Sequence, residues 1–176
     1  YIPCNEIPLN LCYIAAYLER AGIKTDILDL DVESDGFSFT EYLEVTRPSV
    51  VGFTSFSPFI ERAAALASKV KAWNANSLTV IGGYHASAFP ERTLDEFPAF
   101  DMLVFGEGEQ TLLEITQRFE GEQTAPKDIA GTSVRTESGI VRNEPREQFP
   151  DINALPFPAR EKLKLERYKP NPVNYL

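Results

Sequence analysis

Three short apolar runs most constrain what this chain folds into: Val50-Val-Gly-Phe-Thr54, Leu78-Thr-Val-Ile81 and Asp101-Met-Leu-Val-Phe105. Runs of this length without polar alternation are expected of strands covered on both faces, as in a parallel sheet. Each is followed by apolar residues at helical spacing. After the first run, Pro58 suits a first helical turn, and Phe59, Ala63, Leu66, Ala67, Val70 and Trp73 give the helix a buried stripe. After the second, residues 93–97 predict a short helical turn. After the third, a helix over residues 109–119 has Leu112, Leu113, Thr116 and Phe119 as its inner face. Upstream, Leu11, Ile14, Ala15 and Leu18 predict a helix ending near Gly22. Residues 25–31 then predict a short strand, and residues 39–46 a helix stopped by Pro48.

Strands alternating with helices predict an α/β fold, a parallel sheet with helices on both faces. Right-handed crossovers place every strand-to-helix loop at one edge of the sheet, where open sheets of this kind take their ligands. Four loops are expected there: residues 3–8, 54–58, 82–87 and 106–109. Beyond Gly121 the pattern changes. Residues 132–136 and 140–143 predict a hairpin turning at Glu137-Ser-Gly139. Pro145, Pro150, Pro156, Pro158, Pro170 and Pro172 then break all periodicity, as in a linker packed along a neighbour. The division expected is an α/β domain over residues 1–126, then a hairpin and linker over 127–176.

With 176 residues, 43% of them hydrophobic and 24% charged, the chain has material for one ordinary core and a tail. Its formal net charge of -9 argues against nucleic acid or an anionic membrane surface as a partner. No apolar run approaches the roughly 20 residues of a membrane helix, and no signal peptide is recognisable, so the cytoplasm is the expected compartment. Cys4 and Cys12 have neither a zinc nor a redox spacing, and Cys12 on its helix reads as a small apolar residue.

The candidate chemistry is sparse. Gly82-Gly83 at a strand end permits close approach to the backbone, or simply makes a tight turn. His85 is the only histidine, and a lone loop histidine is more often a polar surface group than a ligand. Glu107 and Glu109 form a carboxylate pair that at a helix start more often complements the dipole. No P-loop, dinucleotide fingerprint or nucleophile elbow is present: Gly106-Glu-Gly108 continues as Glu109-Gln-Thr111, without the third glycine. The chain shows no catalytic constellation of its own, which favours a domain that holds a cofactor over a complete enzyme.

Four phrases in order carry a resemblance: Pro8-Leu-Asn-Leu-Cys-Tyr-Ile-Ala-Ala-Tyr-Leu-Glu-Arg-Ala-Gly22, Val51-Gly-Phe-Thr-Ser-Phe-Ser57, Val80-Ile-Gly-Gly-Tyr-His-Ala86 and Phe105-Gly-Glu-Gly-Glu109. Together they resemble the N-terminal cobalamin-binding domain of cobalamin-dependent radical S-adenosylmethionine (radical SAM) enzymes, over roughly residues 5 to 160. Leu155-Pro-Phe-Pro-Ala-Arg160 looks like the segment leading into the radical SAM barrel. The resemblance implies a flavodoxin-like sheet, with cobalamin inserting its nucleotide tail at the strand ends. It implies that Thr54, Ser55 and Ser57 hydrogen-bond the tail, that Gly82 and Gly83 leave it room, that Phe56 and Tyr84 pack on tail or corrin, and that Gly106, Glu107 and Gly108 close the rim. His85 stands on the same loop.

In the related methionine-synthase type, a D-x-H-x-x-G motif places a histidine on cobalt. The corresponding stretch here is Asn5-Glu-Ile-Pro-Leu-Asn10, and Ile7 takes the histidine's place. An isoleucine cannot ligate a metal, so no cobalt ligand is expected at that position. S-adenosylmethionine, the 4Fe-4S iron–sulfur cluster and the methyltransferase or cyclase chemistry are expected of the barrel, whose C-x-x-x-C-x-x-C motif is not in this sequence. The flavodoxin-like order also implies an inner first strand before Tyr1. Two other readings remain: a docking domain of the same fold without cofactor, and a receiver-like signalling domain, disfavoured because its acidic cluster is reduced to Glu6.

Overall fold

The computed structural model of the chain describes residues 6–149 and 151–168. They fall into two compact units: Ser38–Phe149, and the described residues before Ser38 and after Phe149.

Helix α1, Leu9–Arg20, belongs to the smaller unit, and the larger unit begins with helix α2, Phe39–Thr46. Ser38 caps α2 by accepting a hydrogen bond from Glu41 N (3.3 Å), and Arg47 ends it in a left-handed conformation. Strand β1, Val50–Thr54, leads through a 3₁₀ turn at Ser57–Phe59 into α3, Ile60–Trp73. Strand β2, Leu78–Gly82, is followed by two short helices, α4 (Tyr84–Ala88) and α5 (Pro90–Glu96). Strand β3, Met102–Val104, leads into α6, Glu109–Glu122. Strands β4 (Thr132–Thr136) and β5 (Gly139–Arg142) form the expected hairpin.

The sheet order is β1-β2-β3-β4-β5. β1, β2 and β3 are parallel, with Val80 opposite Gly52 and Met102. These three stand in the consecutive order of the last three strands of a flavodoxin-like sheet. The hairpin extends the sheet: β4 runs antiparallel to β3, pairing Leu103 with Ser133, and Phe105 N donates to Gly131 O (2.9 Å).

Alternation along the strands divides the core between the two faces. Ile81 and Leu103 pack with Ile60, Ala63, Ala64, Ala67, Leu94 and Phe100 on the α3–α5 face. Leu78, Val80, Met102 and Val104 pack with Ile115 and Phe119 of α6, Ile129 and Val134 on the other. The α3 stripe is therefore centred on Ile60 and its small residues, while Phe59 remains exposed. In α6 the central residue is Ile115, with Leu112 at the margin. At the amino ends of the strands, Asp101 Oδ2 accepts from Thr79 N (2.8 Å) and Thr79 Oγ1 (2.9 Å), and Lys71 Nζ lies 2.5 Å from it. That cluster leaves the carboxyl edge to the loops.

The smaller unit is α1, Leu9–Arg20, with the chain that follows it and the proline-containing tail. Cys12, Ala15 and Leu18 are the buried face of α1, and burial pushes the Cys12 thiol up. Ala159 N donates to Cys12 O (3.1 Å) and Arg20 Nη1 to Ala154 O (2.6 Å). Lys162 Nζ donates to Thr25 O (2.8 Å) and lies 2.5 Å from Glu19. Glu33 receives both Lys164 (2.7 Å) and Arg167 (2.9 Å), and Tyr168 donates to Asp29 Oδ2 (2.8 Å).

Residues 25–31 form no strand, contrary to the sequence pattern. A strand exists only through a ladder partner, and a flavodoxin-like order would give this segment the inner first strand, which is not among the described residues. Side chains of the tail take part of that role, as at Thr25 O and Asp29.

Candidate functional site

At the carboxyl edge, the loops following β1, β2 and β3 are tied to one another. Ser55 N donates to Gly82 O (3.3 Å) and His85 N to Ser55 O (3.2 Å), joining the first loop to the second. His85 Nδ1 and Ser57 Oγ share a hydrogen bond of 2.9 Å across the same junction. Gly106 N donates to Ser87 Oγ (3.3 Å), joining the second loop to the third. Of the four loops expected at this edge, those after β1, β2 and β3 are bonded together in the larger unit, and the described part of residues 3–8 belongs to the smaller unit. Sequence reasoning misses Ser87. It also misses Phe89, an exposed ring 5.5 Å from His85. Their only signal is position, within or just past the second loop.

The two adjacent glycines do different things. Gly83 has φ of +92°, and a Cβ there would lie 2.7 Å from Thr54 Oγ1, 3.0 Å from Ser55 N and 3.1 Å from Ser55 O. Its missing side chain is what lets the first two loops touch. A Cβ on Gly82 would meet only Val104 O at 3.7 Å and Phe53 O at 3.9 Å, ordinary contacts. Gly82 lies in β2, between β1 and β3, and these two atoms are backbone carbonyl oxygens of its neighbouring strands.

Above this backbone stand Phe56, 55% exposed, and Tyr84, 76% exposed, from different loops. Their rings stack at 5.2 Å with 18° between planes. Two aromatic faces held together in solvent make an apolar platform beside exposed Thr54 and Ser57. Ser55 is buried, and its hydroxyl donates to Phe56 O (2.9 Å). On the third loop, Gly106 has φ of +77°, Glu107 Oε2 accepts from Phe149 N (3.0 Å), and Gly108 precedes α6 with Glu109 in its first turn.

Ile7 lies just before α1, in the smaller unit, and its carbonyl accepts from Leu9 N (2.8 Å). Asn5 falls outside the described residues. Among the described residues, no three His, Cys, Asp or Glu side chains gather as a metal site. No described helix is long and apolar enough to cross a membrane.

A mixed sheet with a parallel half, helices on both faces and three mutually bonded loops at the carboxyl edge is an open α/β domain of the kind that takes ligands at that edge. The exposed residues Thr54 and Ser57 and the apolar platform suit a guest with both aromatic and polar parts.

Residues 3–116 match the B12 binding domain family, and the chain belongs to it. It is 30% identical over 172 residues to an uncharacterized methyltransferase of Pyrococcus horikoshii, covering 96% of this chain and 36% of that protein. It is also 30% identical to the anaerobic magnesium-protoporphyrin IX monomethyl ester cyclase of Rubrivivax gelatinosus, covering 97% of this chain and 31% of the cyclase. Among solved structures, it is similar to the radical S-adenosylmethionine methyltransferase TsrM of Kitasatospora setae, with a TM-score of 0.69 and 25% identity over 84% of this chain and 29% of that one. The cobalamin-dependent radical enzyme OxsB shares the fold, with a TM-score of 0.77 at 20% identity over 90% of this chain and 22% of that one. The chain thus spans about a third of the length of the curated relatives it matches, and it is a cobalamin-binding domain similar to part of a radical S-adenosylmethionine methyltransferase.

Proposed function

We propose that this chain holds a cobalamin by its nucleotide tail at the carboxyl edge of β1, β2 and β3, as the cofactor domain of a radical SAM methyltransferase or cyclase. The observation that carries the reading is the match of residues 3–116 to the B12 binding domain family, with Gly82 ending the central parallel strand at the edge where open α/β sheets take ligands. Thr54 and Ser57 are exposed residues facing the tail, while Phe56 and Tyr84 cover apolar surface and exclude water. Gly106, Glu107 and Gly108 form the rim. The methionine-synthase histidine is replaced by Ile7, so cobalt is held with no protein ligand at that position. When bound, cobalamin supplies a cobalt centre that can carry a methyl group; S-adenosylmethionine and the iron–sulfur cluster belong to the radical SAM barrel as the partner domain.

Hydroxocobalamin titrated into the folded chain, followed by absorbance and calorimetry, tests the reading. Saturable binding with one cobalamin per chain is expected. A folded chain that takes up no cobalamin would favour the cofactor-free docking domain.

A further inference from the structure

We infer that Phe157, with Ile152 upstream on the same segment, is the anchor on which the rest of the polypeptide packs. This rests on the reading that the chain is one domain of a longer enzyme. Phe157 is 96% exposed and Ile152 75% exposed. A single exposed apolar residue is ordinary, but the way Phe157 is held is not. On its amino side, Ala154 O is fixed by Arg20 Nη1 at 2.6 Å. On its carboxyl side, Ala159 N is fixed to Cys12 O at 3.1 Å, and the Ala159 side chain is buried. The segment is therefore fastened to α1 at both ends, only five residues apart.

Pro156 and Pro158 flank the ring, and each fixes its own φ while restricting the residue before it. Little backbone freedom remains to be lost when a partner covers Phe157. A preorganised aromatic is the kind of residue that dominates a contact surface. In sequence, exposed Asp151 precedes the segment and exposed Arg160 and Glu161 follow it.

The occupant follows from length. The matched relatives carry this region as 36% and 31% of their chains, so roughly two thirds of such a protein lies elsewhere in the same polypeptide. An intramolecular neighbour has a high effective concentration and needs only a small patch. We assign it the apolar pocket that receives Phe157.

The test places 4-fluorophenylalanine at position 157 in the 176-residue chain and in the complete gene product, and reads the fluorine resonance in H₂O and D₂O. The full solvent isotope shift is expected in the short chain and its loss in the complete protein. The full shift in both overturns the inference. Loss of the shift in the short chain, with a dimer by sedimentation, overturns it in favour of a second copy. Cobalamin titration of the same complete protein separates the two readings: cobalamin binding with an exposed fluorine rejects the anchor alone, and a shielded fluorine without cobalamin binding rejects the cofactor reading alone.

Discussion

Gly83 and Thr54 approach so closely that no side chain fits between them: a Cβ on Gly83 would sit 2.7 Å from Thr54 Oγ1, at a φ of +92°. The contact fixes the first loop against the second, so this glycine serves the shape of the site before it serves a ligand. Gly83→Val is expected to cost about 1–3 kcal/mol for the strained backbone, and more for the clash with Ser55. Cobalamin affinity falls with it. Gly82→Ala separates the roles, because its added methyl meets only ordinary contacts. It is expected to melt at or slightly above the wild-type temperature and to bind cobalamin more weakly. Thermal melts paired with cobalamin titrations check both. Unchanged affinity in Gly82→Ala would mean that the tail does not approach the backbone at Gly82.

A second prediction concerns the tail of the smaller unit. Burial pushes the Tyr168 hydroxyl up from its ordinary value of 10.0, and its hydrogen bond to Asp29 and that carboxylate's charge push it further. The folded state therefore holds the proton more tightly than the unfolded chain. The resulting stabilisation is fully present below about pH 10 and is lost as pH rises toward and through the folded value. Tyr168→Phe should lower stability near neutral pH by about 1–3 kcal/mol, as for a hydrogen bond to a charged group. It should also flatten the loss of stability above pH 10, read from denaturant titrations at pH 7, 9 and 11. An alkaline slope identical in both proteins would remove Tyr168 as its cause.

Much of this architecture is legible in local pattern, and the misses have a common reason. β1, β2, β3, α2 and α6 are announced by apolar runs or helical spacing, because their burial is set by period alone. The segment at residues 25–31 has a strand's composition but lacks a ladder, and composition does not reveal a partner. The hairpin is readable from Glu137-Ser-Gly139. Its addition to β3 is not, because that depends on long-range pairing of Leu103 with Ser133. In the site, the loops are readable, whereas the reason for Gly83 is not. Positive φ and the approach of Thr54 are tertiary facts, and they separate two glycines that look equivalent in sequence.

The third prediction concerns His85. Its Nδ1 is engaged with Ser57 Oγ, and its ring lies against Phe89, as expected of a strut between loops. His85→Ala should leave the absorption bands of bound cobalamin unchanged, while costing about 0.5–1.5 kcal/mol of stability for the lost hydrogen bond. Absorbance of the cobalamin-loaded variant, with a thermal melt, is the measurement. A shift of the cobalt bands in a folded variant would make the imidazole a metal ligand.

The last prediction concerns the stacked pair Phe56 and Tyr84. Both rings are mostly exposed, so neither Phe56→Ala nor Tyr84→Ala leaves a core cavity. What each loses in the free protein is the stacking itself, about 0.5–1.5 kcal/mol for an aromatic pair and toward the lower end in solvent. If the pair exists to cover apolar surface of the cofactor, affinity should fall by more than the melt explains. Truncating either ring also removes the support of the other, so the two effects should be non-additive. The double variant would then bind only slightly worse than either single one. Tyr84→Phe keeps the ring and removes the hydroxyl, and is expected to retain near wild-type affinity. Calorimetric titration of all four variants with hydroxocobalamin, beside their melts, decides the matter. Affinities that follow the melting temperatures would confine the pair to holding the loops together, and the platform would then have no part in binding.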